Sequence, residues 1–178
     1  MGKRSDFDRI PRDKYMTPKK AIDPLLFWIE EGWSFAEPCA GDGGLARHLE
    51  ENGHVCLHMS DIEPEHPKVK ELDVFDFEAD LSTTDCVITN PPWDRKILHP
   101  LIEHLSDQVP TWLLFDTDWM HTKQAIPFLP RLRRIISVGR VKWIPGSTMT
   151  GKDNCAWYHF TKPGPKNTVF IGRSEIWG

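Results

Sequence analysis

Residues 85–93 have the sequence Asp85-Cys86-Val87-Ile88-Thr89-Asn90-Pro91-Pro92-Trp93. The part from Cys86 to Thr89 is short, apolar and partly β-branched, which is typical of a strand buried on both faces of a parallel sheet. The two prolines that follow fix φ and keep the preceding residues extended, so the strand ends in a rigid turn. In open parallel sheets, ligands bind just beyond the carboxyl ends of the strands. We therefore expect an α/β sheet with a ligand site beside Asn90.

Strands and helices alternate on both sides of this stretch. The predicted strands are residues 33–37, 54–60, 69–72, 86–89 and 112–115, and the predicted helices are residues 25–31, 43–51, 97–105 and 124–132. The first helix is expected to follow Asp23-Pro24, an N-cap residue with a proline in the first turn. Residues 135–143 and 155–160 then predict a strand pair around the loop 145–154. This order predicts a mostly parallel, seven-stranded α/β sheet with an antiparallel edge hairpin, in a single domain.

The composition is that of one globular domain. The chain has 178 residues, of which 39% are hydrophobic and 27% charged, which is enough for a full hydrophobic core. No run of the sequence approaches the roughly 18 apolar residues that span a bilayer. No apolar segment follows the charged N-terminus, so we expect a cytoplasmic protein without membrane contact.

The cysteines and histidines do not form a metal-binding pattern in the sequence. The four cysteines lack paired spacing and lie in or beside apolar stretches, at Cys39, Cys56, Cys86 and Cys155. This predicts free, mostly buried thiols. His54 and His58 are four residues apart, but their segment predicts a strand and lacks further ligands, so we expect no metal site.

The charge is unevenly distributed along the chain. The formal net charge is −4, but residues 1–20 carry +4, residues 21–122 carry −16 and residues 123–178 carry +8. Such asymmetry indicates that the two ends meet a polyanion while the middle does not. A solvated mixed surface is the alternative. The clustered positive side chains are candidates for phosphate contacts: Arg131, Arg133, Arg134, Arg140, Lys142 and Lys152.

A second strand-turn-helix lies about fifty residues upstream of Asn90. After Glu37, Gly41-Asp42-Gly43-Gly44 predicts a tight turn into a helix whose exposed N–H groups would favour a carboxylate or phosphate. The pattern is neither G-x-G-x-x-G nor a phosphate-binding G-x-x-x-x-G-K-S/T loop. The acidic Glu37 and Asp42 would repel phosphates but pair with an ammonium group. A ligand with an amino-acid tail fits this turn better than a triphosphate does.

Acidic residues also end the next two predicted strands. Asp61 follows Asp42 by 19 positions, close to the spacing of about 20 at which an acidic residue binds ribose hydroxyls. Ile62 could then cover one face of an adenine ring, and Asp73 could accept a hydrogen bond from its exocyclic amine. Alternatively, Asp61 and Asp73 are ordinary loop residues at strand ends.

The rigid turn after Asn90 can hold a planar amine. The Asn90 side-chain oxygen and the Pro91 carbonyl could converge on an –NH2 group and direct its lone pair towards a sulfonium methyl group. Trp93 offers a flat surface on which a base could stack. The alternative is a proline-rich loop that merely ends a strand, with Trp93 packed in the core.

Three motifs in this order resemble those of the class I S-adenosylmethionine-dependent methyltransferases that act on exocyclic amines of DNA bases. Tyr15-Met16-Thr17-Pro18 matches their N-terminal Y-x-T-P element, and Glu37-Pro38-Cys39-Ala40-Gly41-Asp42-Gly43 is similar to their first cofactor motif. Asn90-Pro91-Pro92-Trp93 matches their catalytic (D/N/S)-P-P-(Y/F/W). The position of Y-x-T-P ahead of the other motifs is like that of the adenine-N6 enzymes.

The resemblance implies a Rossmann-like fold, S-adenosylmethionine as cofactor and DNA with a flipped adenine as partner. It implies a catalytic domain over residues 15–161, with a flexible basic arm at 1–14 and a tail at 162–178. The implied catalytic residues are Asn90, Pro91, Pro92 and Trp93. The implied cofactor residues are Tyr15, Thr17, Glu37, Pro38, Ala40, Gly41, Asp42, Gly43, Asp61, Ile62, Asp73, Phe75 and Asn90. Among the clustered positive side chains, we expect Lys152, Arg140 and Lys142 to contact the nucleic acid.

One departure from the family concerns the recognition of sequence. Only 18 residues follow Phe160, too few for a target-recognition domain, so we expect low or short-context specificity, as in a small viral or mobile-element methylase. Two other interpretations are open: methylation of a protein glutamine or an RNA base, and a non-catalytic protein that binds the cofactor or DNA.

Overall fold

The structure, a computed structural model, describes residues 15–144, 146, 150–165 and 167–174. The basic arm predicted for residues 1–14 lies outside the described residues, as do parts of the loop 145–154 and of the tail 162–178. The described strands are β1 Ser34–Glu37, β2 Val55–Asp61, β3 Lys70–Glu71, β4 Cys86–Thr89, β5 Thr111–Asp116, β6 Leu132–Arg140, β7 Asn154–Phe160 and β8 Val169–Ile171. The described α-helices are α1 Lys19–Leu26, α2 Gly44–Glu51 and α3 Arg95–Ser106, and 3-10 helices span Val74–Asp76, Thr117–His121 and Lys123–Arg131.

The strands form one sheet in the order β3-β2-β1-β4-β5-β7-β6-β8. All neighbours pair in parallel except β7, which is antiparallel to both β5 and β6. The predicted mostly parallel sheet with an antiparallel hairpin is therefore confirmed. The sheet has an eighth strand beyond the seven predicted, because β8 forms within the predicted tail and pairs with β6.

Two apolar layers cover the sheet. All four residues of β4 are buried, as predicted for a strand between two layers. Its side chains alternate, so that Val87 faces the layer that contains α3 while Ile88 faces the layer that contains α1 and α2. All four cysteines are free, as predicted; Cys86 and Cys155 are buried, whereas Cys39 and Cys56 are only partly buried.

The first predicted helix, 25–31, is wrong. α1 instead begins at Lys19 and contains Pro24. Ala21, Ile22 and Leu25 recur at helical spacing and are fully buried, so the apolar stripe decides the position of the helix and outweighs the preference of proline for a first turn. Asp23 does not cap a helix here; its carboxylate contacts His48 Nε2 at 2.8 Å.

The predicted helix 124–132 is a 3-10 helix over Lys123–Arg131. Pro127 and Pro130 lack the N–H groups that an α-helix needs, which favours the shorter-range bonding pattern. The remaining predicted elements form within three residues of their predicted bounds. Within the described part of the chain, no helix has the length and apolar character to cross a membrane.

The topology determines where a site can form. β1, β2, β4 and β5 are parallel, and β6 runs the same way because both it and β5 are antiparallel to β7. β8 is parallel to β6. The carboxyl ends of these six strands therefore meet at one edge of the sheet, which we call the carboxyl edge.

Candidate active site

The glycine turn lies between β1 and α2 at the carboxyl edge. Gly41 and Gly43 have φ values of +53° and +71°, a backbone conformation that favours glycine. A Cβ atom on Gly41 would lie 3.2 Å from Met16 Cε, and one on Gly43 would lie 3.2 Å from Met59 Sδ. The turn is thus in close contact with the Tyr15-Met16-Thr17-Pro18 segment on one side and with β2 on the other.

Glu37 lies beneath the glycine turn with only 2% of its surface exposed. Its Oε2 accepts a hydrogen bond of 3.0 Å from the Ala46 N–H, in the first turn of α2. Burial raises the pKa of this carboxyl well above its usual range, and the neighbouring Asp42 and Asp61 raise it further. The structure therefore gives Glu37 a contact with the start of α2, and its pairing with an ammonium group stays a prediction.

Asp61 connects β2 to the glycine turn. Its Oδ2 accepts a hydrogen bond of 2.8 Å from the Gly41 N–H, and its Oδ1 accepts one of 2.9 Å from the Glu63 N–H. Asp42 bends back on its own turn, with Oδ1 accepting from the Gly44 N–H at 2.7 Å. Asp61 thus stabilises the turn from the strand end where the sequence placed it, while its contact with a ribose stays a prediction.

The loops after β2 and β3 carry two exposed apolar side chains. Ile62 is 52% exposed and Phe75 is 41% exposed, and the Phe75 ring lies 5.7 Å from the His104 ring. Asp73 Oδ1 accepts a hydrogen bond of 3.0 Å from the Phe75 N–H and so caps the 3-10 helix there. Both side chains are therefore accessible, and their contact with an adenine ring stays a prediction.

The other predicted cofactor residues lie in the same region but make fewer polar contacts. Pro38 and Ala40 are buried, and the Ala40 N–H donates to the Ser60 carbonyl at 2.8 Å. Thr17 is half-buried. In the described part of the chain, no group of three or more His, Cys, Asp or Glu residues could hold a metal ion.

The turn after β4 contacts the N-terminal segment. Asn90 Nδ2 donates a hydrogen bond of 3.3 Å to the Tyr15 carbonyl. Since Met16 packs on Gly41, one short segment touches both the glycine turn and Asn90. The three motifs that the sequence analysis singled out, separated by up to 75 positions along the chain, are therefore neighbours in space.

Trp93 is half-buried and uses its indole N–H. Nε1 donates to Asn90 Oδ1 at 3.2 Å and to the Leu114 carbonyl at 3.1 Å. The side chain is therefore neither a free stacking surface nor a fully buried core residue. A carboxamide oxygen has two lone pairs, so Asn90 Oδ1 retains the capacity to accept a hydrogen from an amine.

Arg95 and Asp116 are residues that the sequence analysis missed. Arg95 Nη2 lies 2.6 Å from Asp116 Oδ2, and Arg95 Nη1 donates to the Trp93 carbonyl at 3.3 Å. The Tyr158 hydroxyl donates to the Asp116 carbonyl at 3.0 Å. These contacts hold the turn that contains Pro91 and Pro92, which we call the proline turn, against β5. Asp116 ends a buried strand and could have been found by the strand-end rule, whereas nothing in the sequence singles out Arg95.

Trp143 is a further residue that the sequence did not indicate. Its ring lies 5.7 Å from that of Trp93, nearly perpendicular at 82°, and 6.2 Å from that of Tyr15. A Cβ on Gly151 would lie 3.1 Å from Trp143 Nε1, and the Gly151 N–H donates to the Val141 carbonyl at 2.8 Å. Three aromatic side chains thus line the carboxyl edge beside Asn90.

Three of the six candidate phosphate contacts have structural partners instead. Arg131 pairs with Asp107, Arg133 donates to the carbonyls of Pro130 and Lys162, and Arg134 lies over the Trp28 ring at 5.8 Å. The other three are exposed; they are Arg140, Lys142 and Lys152.

Solved methyltransferase structures share this fold. The chain is similar to a proposed RNA methyltransferase from Pyrococcus horikoshii, with a TM-score of 0.61, 20% identity and coverage of 91% of this chain and 94% of that chain. It is also similar to a modification subunit of a proposed type I restriction enzyme from Vibrio vulnificus (TM-score 0.60, 12% identity, 91% of this chain), of which it spans 48%. A third is a proposed class I S-adenosylmethionine-dependent methyltransferase from Listeria monocytogenes (TM-score 0.53, 14% identity, 90% of this chain and 66% of that chain).

No protein-family model and no curated protein matches the sequence. At these identities, the likeness to solved structures establishes the fold. The chain has the Rossmann-like class I methyltransferase fold, with a mostly parallel α/β sheet and one antiparallel hairpin, as predicted.

Proposed function

We propose that the protein transfers a methyl group from S-adenosylmethionine to the exocyclic N6 of adenine in DNA, with low or short-context specificity. The observation that carries the proposal is the N-terminal segment, which contacts the glycine turn through Met16 and Asn90 through the Tyr15 carbonyl. A donor site and an acceptor site are thereby joined by one segment. Transfer between two bound groups requires such proximity, since positioning supplies much of the rate.

The residues at the glycine turn fit the proposed cofactor. The positive φ of Gly41 and Gly43 lets the backbone approach a ligand closely. Asp61 would face the ribose, with Ile62 and Phe75 covering the adenine ring and Asp73 accepting from its amine. S-adenosylmethionine would supply an electrophilic methyl group on a sulfonium centre.

Asn90 would act on the acceptor amine. The lone pair of an aromatic amine is delocalised into its ring, so the nitrogen is a poor nucleophile until its hydrogens are held. Asn90 Oδ1 and the Pro91 carbonyl would accept those hydrogens and leave the nitrogen lone pair pointing outward. No strong base is needed before attack, because the proton can leave after the C–N bond has formed.

A base inside a duplex cannot reach such a site, so the adenine would be flipped out of the helix. Trp93 would contact its face, since stacking on an aromatic side chain contributes about 1–3 kcal/mol. Arg140, Lys142 and Lys152 would contact phosphates, which fix the position of the strand without reading its sequence.

The test is a labelling assay with tritiated S-adenosylmethionine and matched DNA, RNA and protein substrates. We expect label on adenine N6 in DNA alone. Asn90→Ala should abolish turnover while leaving cofactor affinity largely intact, and Asn167→Ala, at an exposed position before β8, should behave as wild type. Label on another base, or wild-type kinetics for Asn90→Ala, would contradict the proposal.

An RNA base is the second candidate substrate. It is favoured by the similarity to the proposed RNA methyltransferase, because the two chains cover each other over 91% and 94% of their lengths. The turn after Asn90 would hold an RNA amine in the same way. Label in RNA but not in DNA would select this candidate.

A further inference from the structure

We propose that β8 extends the nucleic-acid interface, and that Arg173 together with Arg140, Lys142 and Lys152 forms a basic strip that contacts the phosphates of the substrate. This inference rests on the proposed function, because it assumes that the substrate of the site is a nucleic acid. The new elements are the strand β8 and Arg173, neither of which the sequence indicated as part of a site.

The pairing of β8 places Arg173 at the carboxyl edge. β8 runs parallel to β6, with Arg134 opposite Val169 and Ile136 opposite Ile171. Arg173 comes two residues after the end of β8, so it lies at the same edge as Arg140, the last residue of β6. The extra strand therefore adds a cation to the edge where the glycine turn and Asn90 are found.

Gly139 makes room for the Arg173 side chain. Its φ is +87°, and a Cβ at this position would lie 3.2 Å from Arg173 Nη1 and 3.7 Å from Arg173 Cζ. The guanidinium thus rests on the backbone of Gly139, immediately before Arg140 in the chain. Arg173 thus lies against the residue that precedes Arg140, so cations from two neighbouring strands occur at the same edge of the sheet.

The four cations of the strip are exposed. Among the described residues, none of them forms a salt bridge, in contrast to Arg47, Arg95 and Arg131, which pair with Asp42, Asp116 and Asp107. Three of the other five arginines that the structure describes are therefore paired with a carboxylate. The charge of the strip is available to a partner from outside.

The two ends of the sheet carry opposite charge. Residues 132–174, which include β6, β7 and β8, contain eight Lys/Arg and one Asp, a net charge of +7. Residues 61–80, at the β2–β3 end, contain eight Asp/Glu and two Lys, a net charge of −6. The sheet order places these segments at opposite ends. A nucleic acid is therefore attracted to the β6–β8 end and repelled from the β2–β3 end.

The basic strip lies close to the turn after Asn90. Lys142 directly precedes Trp143, whose ring contacts that of Trp93. Arg140 precedes Trp143 by three residues, a span of at most about 10 Å. A strand bound along the strip would therefore have a nucleotide within reach of Asn90.

The experiment measures the binding of a fluorescent DNA duplex by anisotropy at several salt concentrations. Arg173→Gln removes the charge and keeps most of the side chain. We expect it to weaken binding about threefold to tenfold and to lower the slope of log K against log salt by about 0.9, the loss of one phosphate contact on a duplex. Arg173→Lys, which keeps the charge, should retain most of the slope. Lys142→Gln should behave like Arg173→Gln.

Lys70→Gln provides the control, because Lys70 is an exposed cation on β3 at the opposite end of the sheet. We expect it to change neither the affinity nor the slope. In the labelling assay, Arg173→Gln should raise KM for DNA about threefold to tenfold, since the strip contributes to binding of the substrate. If Arg173 merely packs on Gly139, its replacement would lower thermal stability and leave the salt slope unchanged, and the inference would be wrong.

The outcomes separate this inference from the proposed function. One outcome is that the two variants show the expected lower salt slope while the wild-type protein labels no nucleic acid. That result would support the strip and contradict the proposed methyl transfer. Labelled adenine with an unchanged slope for both Arg173→Gln and Lys142→Gln would support the proposed function and overturn the strip. Absence of nucleic-acid binding by the wild type would also overturn it.

Discussion

Trp93 differs from the tyrosine or phenylalanine that its motif also allows, because it carries an N–H on the edge of its ring. That N–H is divided between Asn90 Oδ1 and the Leu114 carbonyl. The indole therefore fixes the orientation of the Asn90 carboxamide from one side, while Asn90 Nδ2 fixes it from the other by donating to Tyr15. A carboxamide held at both ends needs little reorganisation when an amine arrives, which is the condition for effective electrostatic stabilisation.

Replacement of Trp93 by phenylalanine tests this role of the N–H. Phenylalanine retains an aromatic face for the base but leaves Asn90 Oδ1 without its partner. The net value of such a hydrogen bond is about 0.5–1.5 kcal/mol, so we expect kcat to fall about twofold to tenfold with unchanged affinity for S-adenosylmethionine. Single-turnover kinetics and calorimetric titration measure the two quantities.

Trp28→Phe is the matched control for that replacement. Trp28 Nε1 is buried without a hydrogen-bond partner, so its loss removes no bond, and kcat should stay at the wild-type value. An unchanged kcat for Trp93→Phe would show that the N–H does not orient Asn90 in the reaction.

At the scale of elements, the turn between β4 and α3 is held by the neighbouring strand β5. Arg95, at the start of α3, pairs with Asp116 at the end of β5 and also donates to the Trp93 carbonyl. The pair is partly buried, with side-chain exposures of 30% and 14%, and so is less screened by solvent than a surface pair. The proline turn is thus positioned both by its own stiffness and by an ion pair to β5.

Arg95→Gln should release the turn without disturbing the cofactor site. Charge-assisted hydrogen bonds are about twice as strong as neutral ones, so we expect kcat to fall by about tenfold or more while the affinity for S-adenosylmethionine stays within about twofold. Arg95→Lys, which keeps the charge but loses the fork geometry, should recover part of kcat.

Arg131→Gln serves as the control for Arg95→Gln. It breaks a comparable pair with Asp107, away from the carboxyl edge, and should lower stability while leaving kcat unchanged. If Arg95→Gln lowered only the unfolding temperature, the Arg95–Asp116 pair would have no role in positioning the turn.

These contacts show which parts of the site the sequence could predict. Glu37, Asp61 and Asn90 each lie at the end of a predicted strand, and the pattern that predicts the strand also predicts where its last side chain lies. Arg95 and Trp143 act through contacts that depend on how neighbouring elements pack, and no local pattern records that packing. The strand β8 was not predicted for the same reason. Two of its three residues are exposed, and they form a strand only because β6 is beside them.

At the scale of the whole molecule, the β2–β3 end of the sheet has fewer helices than the rest. The connections from β2 to β3 and from β3 to β4 contain no α-helix, and Val55 and Leu57 on β2 are 50% and 46% exposed. An open cavity of about 370 Å³ lies beside Leu57, His58 and Phe77. The carboxyl ends of the parallel strands nevertheless meet at the carboxyl edge. The short loops at the β2–β3 end leave Ile62 and Phe75 exposed to solvent.

A ligand that covers these exposed residues should stabilise the entire fold. The glycine turn, the loops after β2 and β3, and the N-terminal segment all contribute residues to the proposed cofactor site, so binding couples elements that are distant along the chain. At a ligand concentration of about 100 times Kd, the gain in free energy of unfolding is about 2.7 kcal/mol. For a chain of this length, that corresponds to a rise of about 5 to 10 °C in Tm.

Differential scanning fluorimetry with S-adenosylmethionine measures this shift. S-adenosylhomocysteine should give a shift of similar size, because it retains the adenosine and the amino-acid tail and lacks only the methyl group. ATP has the same adenosine but replaces the tail with phosphates, which Asp42 and Asp61 would repel, so it should give little or no shift. Equal shifts with ATP and S-adenosylmethionine would mean that the acidic residues at the glycine turn do not select an amino-acid tail. No shift with S-adenosylmethionine at millimolar concentration would contradict the cofactor site itself.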